Sequence, residues 1–152
     1  MEYLIQLITA FLGSLGFAIV FNIKRANVLI SSLGGFLSWG VYLLVNFLIN
    51  NDAMSYFVAA VITTLYAEAF ARIKKSPATI LLICSVVPLI PGGALYYTMR
   101  YAFTGEWDMF SKHGLKTLIL AASLAFGVIV VSTALKLIIQ IIHLSKEKMY
   151  RI

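Results

Sequence analysis

Apolar residues run along this chain in blocks too long and too uniform for one face of a soluble helix or for an alternating strand. Five runs of spanning length, bounded by charge, Asn, Gly or Pro, lie at about residues 3–23, 28–49, 54–73, 77–100 and 116–142. About 20 apolar residues in a helix cross a hydrocarbon core of roughly 30 Å, so each run predicts one transmembrane helix. Short polar stretches separate the first four: KRAN (Lys24 to Asn27), NNDA (Asn50 to Ala53) and KKSP (Lys74 to Pro77). The connection from Tyr101 to Leu115 is longer and carries Glu106, Trp107, Asp108, Lys112 and His113. The expected fold class is therefore all-α integral membrane, with five transmembrane helices forming a single transmembrane domain over residues 1–152 and no soluble domain.

Composition sharpens this. Of 152 residues, 61% are hydrophobic and 12% charged, against roughly 45–50% and about 25% in soluble domains, which excludes a water-soluble globule and most enzymology that needs one. The 12 Lys and Arg against 6 Asp and Glu give a net charge of +6. These cations sit at helix ends and form no stripe with interleaved aromatics, so membrane lipid is an expected partner and nucleic acid is not. Summed alternately along the chain, eight (Lys24, Arg25, Arg72, Lys74, Lys75, Lys146, Lys148 and Arg151) fall on one face and three (Arg100, Lys112 and Lys116) on the other. Cytoplasmic loops collect Lys and Arg, so the N-terminus is expected outside and the C-terminus in the cytoplasm. The first run lacks a basic leader and an A-x-A-like cleavage site and reads as a retained first helix.

Small residues at small-xxx-small spacing let lipid-immersed helices approach closely. Ser31, Gly34, Gly35 and Ser38 in the second span, and Ala121, Ser123, Ala125 and Gly127 in the fifth, are expected to be buried, within one subunit or at a dimer seam.

All three prolines fall in the fourth span, and Pro88-Leu-Ile-Pro91-Gly92-Gly93 should break it near the middle of the membrane. Proline removes a donor and clashes with the preceding turn. Irregular backbone at that depth must face protein or a watery cavity. Free N–H groups over Gly92, Gly93, Ala94 and Leu95, at the positive end of the second half-helix, then suit a carboxylate, with Tyr96 and Tyr97 as hydroxyl donors or cavity wall. The competing reading is a kink that only shapes the bundle.

Glu68 is the one carboxylate well inside a predicted span, with Arg72 one turn later on the same face. Either it carries protons or the two form an ion pair near the interface. Asn22 caps the first helix or faces a cavity. Lys136 can snorkel to the headgroups. Asn46, Thr63 and Thr64 suit hydrogen bonds inside the bundle. Cys84 reads as packing. His113 and His143 stand alone, so no metal is expected. Trp107, Tyr96, Tyr97, Tyr101 and Phe103 resemble an aromatic belt. No phosphate loop, selectivity-filter sequence or nucleophile–base pair occurs, so the chain is expected to be neither an enzyme nor a channel, to need no cofactor, and to transport by a gradient.

Three segments carry a resemblance: GFAIVFNIKRAN (Gly16 to Asn27), AEAFARIKKSPATILL (Ala67 to Leu82) and VPLIPGGALYYTMR (Val87 to Arg100). They resemble the threonine/serine exporter family, specifically its small membrane-only component of the ThrE type. The resemblance implies a bacterial inner-membrane subunit of a proton-driven exporter for threonine and serine, or for a dicarboxylate such as succinate. It also implies a larger partner with a cytoplasmic soluble domain and five spans, the two halves forming an inverted repeat, with a homo-oligomer as the other arrangement. Pro88, Pro91, Gly92, Gly93 and Tyr97 match the family's P-x-x-P-G…Y segment and Asn22 its G-F-x-x-x-F-N segment, while Glu68 and Arg72 match some members and not all. The alternative is a structural or regulatory membrane subunit whose partner carries the transport site.

Overall fold

The computed structural model describes residues 1–149, with side-chain surroundings for residues 1–141 other than Ala26. His143 and the tail cations Lys146, Lys148 and Arg151 lie outside the described side chains. Among the described residues every regular element is helical: α1 (Glu2–Val20), α2 (Arg25–Ile49), α3 (Asp52–Lys74), α4 (Ala78–Val86), a 3-10 turn (Val87–Leu89), α5 (Gly92–Thr104) and α6 (Trp107–Met149). Four of these helices are long and apolar enough to cross a membrane, and α4 with α5, bent by 60° at the break, makes a fifth if the pair is one span.

The helices end where local chemistry requires it. Asn22, Asn50 and Lys75 each adopt a left-handed conformation, with φ of 50°, 52° and 50°, just after α1, α2 and α3. Asparagine tolerates that region best among ordinary residues, and each reversal is pinned by backbone bonds such as Ile23 N–H to the Ala18 carbonyl at 3.1 Å and Ser76 N–H to Ala71 at 2.9 Å. Asn51 caps α3 by accepting the Met54 amide at 3.1 Å.

Tyr101 to Leu115 is not a long loop. Gly105 (φ 78°) ends α5, the chain reverses in two residues, and α6 begins at Trp107. Only glycine takes this conformation without strain, so a stretch too polar to count as a span is helical almost throughout.

Helix α2 is central and packs on α1, α3 and α4, while α6 packs on α3 and α5. The α2 seam is built from small residues, as expected. Ser31, Gly34, Gly35 and Ser38 are buried, and a Cβ at Gly34 would overlap the Ser85 side chain, one at Gly35 that of Ser14. In α6 only part of the expected face is buried. Ala121 and Ala125 are exposed, because α6 meets α3 through Leu120, Leu124, Gly127 and Val131, a stripe rotated about 100° away. A Cβ on Gly127 would lie 2.6 Å from the Ala60 Cβ and 2.8 Å from the Phe57 carbonyl. The interior is small and hydroxylated, whereas the exterior displays Leu12, Phe36, Phe47, Phe126 and Ile129. That inversion of a soluble fold suits lipid contact. Thr63, Thr64 and Ser85 return their hydroxyls to carbonyls one turn back, at 2.7 to 2.8 Å.

Candidate functional site

Helix α4 cannot continue through Pro88 and Pro91. Val87 to Leu89 tighten into a 3-10 turn, Ile90 extends (φ −64°, ψ 123°), and α5 starts after Pro91. Nine α-helical residues and three in the turn rise ~20 Å before the chain extends at Ile90 and turns tightly at Pro91, because the 3-10 residues rise faster than 1.5 Å each. The break is thus carried past the middle of the bundle: Leu89 packs with Tyr56, Ala59 and Leu120, within two turns of the start of α3.

The hydrogen bonds at the break are specific. Gly92 N–H donates to Ile90 O at 2.6 Å and Leu95 N–H to Pro91 O at 3.0 Å. Gly93 and Ala94 have no acceptor for their N–H groups among the described residues. Of the four amides expected to be free, two are. Both residues line a cavity of about 300 Å³ whose other walls include Trp39 and Tyr42 of α2, Asp52 and Tyr56 of α3 and Lys116 of α6.

Helices α3 and α6 run parallel here, so charges at corresponding positions meet. Lys116 Nζ lies 2.8 Å from Asp52 Oδ2, and the Tyr42 hydroxyl donates to Asp52 Oδ1 at 3.4 Å. Tyr42 contacts Trp39 with ring centroids 4.7 Å apart and meets Tyr56 edge-on at 5.1 Å. Trp39 is itself held by its Nε1–H donating to Gln6 Oε1 at 3.1 Å. Lys116 is 56% and Asp52 37% exposed. A pair that wet contributes no more than ~1 kcal/mol, so the two charges can part to meet a ligand at small cost. Cation, carboxylate, two free amides and an aromatic wall together offer partners for a small molecule bearing both charges.

The other expected site residues are dispersed. Pro88, Pro91, Gly92, Gly93 and Ala94 line this cavity; Leu95, Tyr96 and Tyr97 do not. Tyr97 instead packs with Tyr101 and His113, at 6.5 and 5.8 Å. Asn22 lines a different cavity, beside Lys24 and Lys75. Arg72 and Glu68 approach to 3.8 Å as an i, i+4 pair. Glu68 lies twelve residues, or ~18 Å, along α3 from Tyr56. Among the described residues no three His, Cys, Asp or Glu side chains converge as metal ligands.

Trp39, Tyr42, Asp52, Tyr56 and Lys116 escaped sequence reasoning, which read Asp52 and Lys116 as span-end charges. A usable signal existed. Two spans with the same direction begin with opposite charges, and aromatic residues follow at i+4 after Asp52 and at i+3 after Trp39.

The family model "Threonine/Serine exporter, ThrE" matches residues 6–134, from α1 through the part of α6 that packs on α3. The chain belongs to the threonine/serine exporter family. No curated protein and no solved structure matches it. As a member of this family it is a membrane component of a transporter, not an enzyme. The family match spans both the break and the loops around Asn22 and Lys75. In this exporter-family chain, the family-like segments from Gly16 and Ala67 meet around the second cavity, and the one from Val87 supplies one wall of the first.

Proposed function

We propose that this chain is the substrate-carrying membrane subunit of a secondary exporter for small carboxylate-bearing metabolites, and that the cavity at the break holds the substrate. The observation that carries this reading is that Gly93 and Ala94, whose amides have no acceptor among the described residues, line one cavity with Asp52 and Lys116. The substrate carboxylate sits on those amides and Lys116, and the ammonium of threonine or serine on Asp52. A dicarboxylate such as succinate shares the first contact, but its second carboxylate meets Asp52 with like charge. The arrangement therefore favours the amino acid.

The apolar exterior and the small size of the bundle support pairing with a second half, a larger subunit with a cytoplasmic domain in inverted orientation, or else a second copy. Rocking of the halves then alternates access. With Lys24, Arg25, Arg72, Lys74 and Lys75 at one end, five cations against the three of Arg100, Lys112 and Lys116, that end is cytoplasmic in a bacterial inner membrane and the N-terminus is outside. For coupling to the proton gradient the chain offers Glu68 beside Arg72.

The test is efflux of preloaded radiolabelled threonine, serine and succinate from cells expressing Gly92→Leu/Gly93→Leu. A Cβ at either glycine meets nothing within 4 Å, so the first side-chain carbon brings no clash, and membrane amounts measured beside efflux check insertion. Lost efflux with normal membrane amounts supports the site. Unchanged efflux moves it to the partner and leaves this chain a structural subunit.

A further inference from the structure

A second cavity, of about 390 Å³, lies at the opposite end of the bundle, where the α1–α2 and α3–α4 connections meet. Its polar rim is Asn22, Lys24, Asn27, Lys75 and Ser76, and its floor is aliphatic and aromatic, with Phe21, Ile80 and Ile83. Phe21 and Ile83 are about half exposed, at 52% and 51%, so the floor continues onto the lipid-facing surface.

The rim is fixed in place. Asn27 Nδ2 donates to Ser76 Oγ at 2.8 Å, tying the start of α2 to the α3–α4 connection. Asn22 and Lys75 are locked in left-handed turns. Helix α2 starts after Lys24 and α4 after Pro77, and neither start is capped by a side chain. Two helix N-termini therefore direct partial positive charge into a cavity that already holds two lysines. Among the described residues no carboxylate lies within 4.0 Å of Lys24 or Lys75, and none lines the cavity.

We propose that this cavity binds a phosphate-bearing anionic lipid, its phosphodiester on Lys24, Lys75 and the helix starts, and an acyl chain along Phe21, Ile80 and Ile83. The chemistry excludes the neighbouring possibilities. A zwitterionic amino acid needs a carboxylate here for its ammonium, and inorganic phosphate leaves the apolar floor unused. Basic pockets between helices at one membrane interface are suited to such headgroups, and the flanking Arg25 and Lys74 add to the local field. The assignment is independent of the transport site, which lies at the other end of α3.

The test is native mass spectrometry of the delipidated full chain titrated with phosphatidylglycerol, with phosphatidylcholine of the same acyl chains, and with inorganic phosphate or threonine as competitors. The unsubstituted chain should retain phosphatidylglycerol preferentially. Lys24→Gln/Lys75→Gln should weaken that binding about 30-fold, from the usual contribution of a lysine near an anionic headgroup. Lys24→Arg/Lys75→Arg and the distant Lys112→Gln should leave it within about twofold. If the double variant misfolds by circular dichroism, each single Gln variant carries the test with an expected loss of about fivefold. Equal retention of the two lipids, unaltered binding by the Gln variants, or displacement of lipid by millimolar phosphate or threonine would overturn the proposal.

Discussion

The two cavities, one at the Asp52 end and one at the Lys75 end, are built by the same local device and differ in electrostatics. In each, a helix begins at the rim of the opening without a side-chain cap. At the Asp52 end a carboxylate and an ammonium 2.8 Å apart stand over aromatic walls. At the Lys75 end two lysines, with no carboxylate near them among the described residues, stand over an aliphatic floor. A free helix start attracts anions in general, so the device by itself does not choose a ligand. The neighbouring side chains choose: a paired site suits a molecule that is neutral overall, and an unpaired one suits an anion with a tail.

Substitutions can break that contrast, and the most severe removes both sites together. Gly34→Leu drives a side chain into Ser85 where α2 meets α4, at the seam joining the two ends. Overpacking costs of ~1–3 kcal/mol are usual, and here the added side chain meets both Ser85 and the Tyr66 ring. No monodisperse, helical protein is expected by gel filtration and circular dichroism.

Asp52→Lys separates the cavities. It places like charge beside Lys116 and removes the partner of the ammonium, so threonine efflux should fall by ~100-fold or more. Phosphatidylglycerol retention at the other end should stay unchanged in native mass spectrometry. Retained threonine efflux would remove Asp52 from the site, whatever the lipid result.

Gly92→Leu/Gly93→Leu is milder, because the side chains obstruct access to the free amides without altering the charge pair. A fall in threonine efflux of ~10-fold at normal membrane amounts is expected, about one charge-assisted hydrogen bond.

The smallest effect belongs to Glu68→Gln, which lies in neither cavity. Its 3.8 Å pair with Arg72, itself 51% exposed, contributes ~0.5 kcal/mol or less, so the unfolding midpoint should barely move. Efflux that no longer responds to an imposed pH gradient would assign proton coupling to Glu68. Undiminished response would leave it an ion pair.

The spans were legible because crossing a bilayer imposes a length, and the apolar blocks met it to within a few residues for the first three. The helix of the fifth span, α6, begins at Trp107, not near residue 116, because the polar residues of its first turns carry no apolar run to recognise. The break was legible at Pro88 to Gly93 because proline chemistry is local. Its depth was not, because that depends on how fast the residues after Val86 rise and on which turn of α3 receives Leu89. Tyr97 illustrates the same limit. It follows the glycines closely in the chain, yet the helical twist turns it toward His113.

The sequence by itself determined that this protein lives in lipid, where its helices lie, where the fourth is interrupted, and to which family it belongs. Each of those follows from a requirement met within some 20 consecutive residues, whether a hydrophobic length, a missing amide hydrogen or a short motif. Tertiary structure alone decided that Asp52 meets Lys116 across 64 positions, that Trp39 and Tyr42 wall the same opening, and that Asn22 belongs with Lys75 and not with the break. Such meetings depend on the rotation and register of packed helices, set by contacts like Gly127 on Ala60 and Gly34 on Ser85. Packing of that kind is a property of pairs of surfaces, and neither surface specifies it alone.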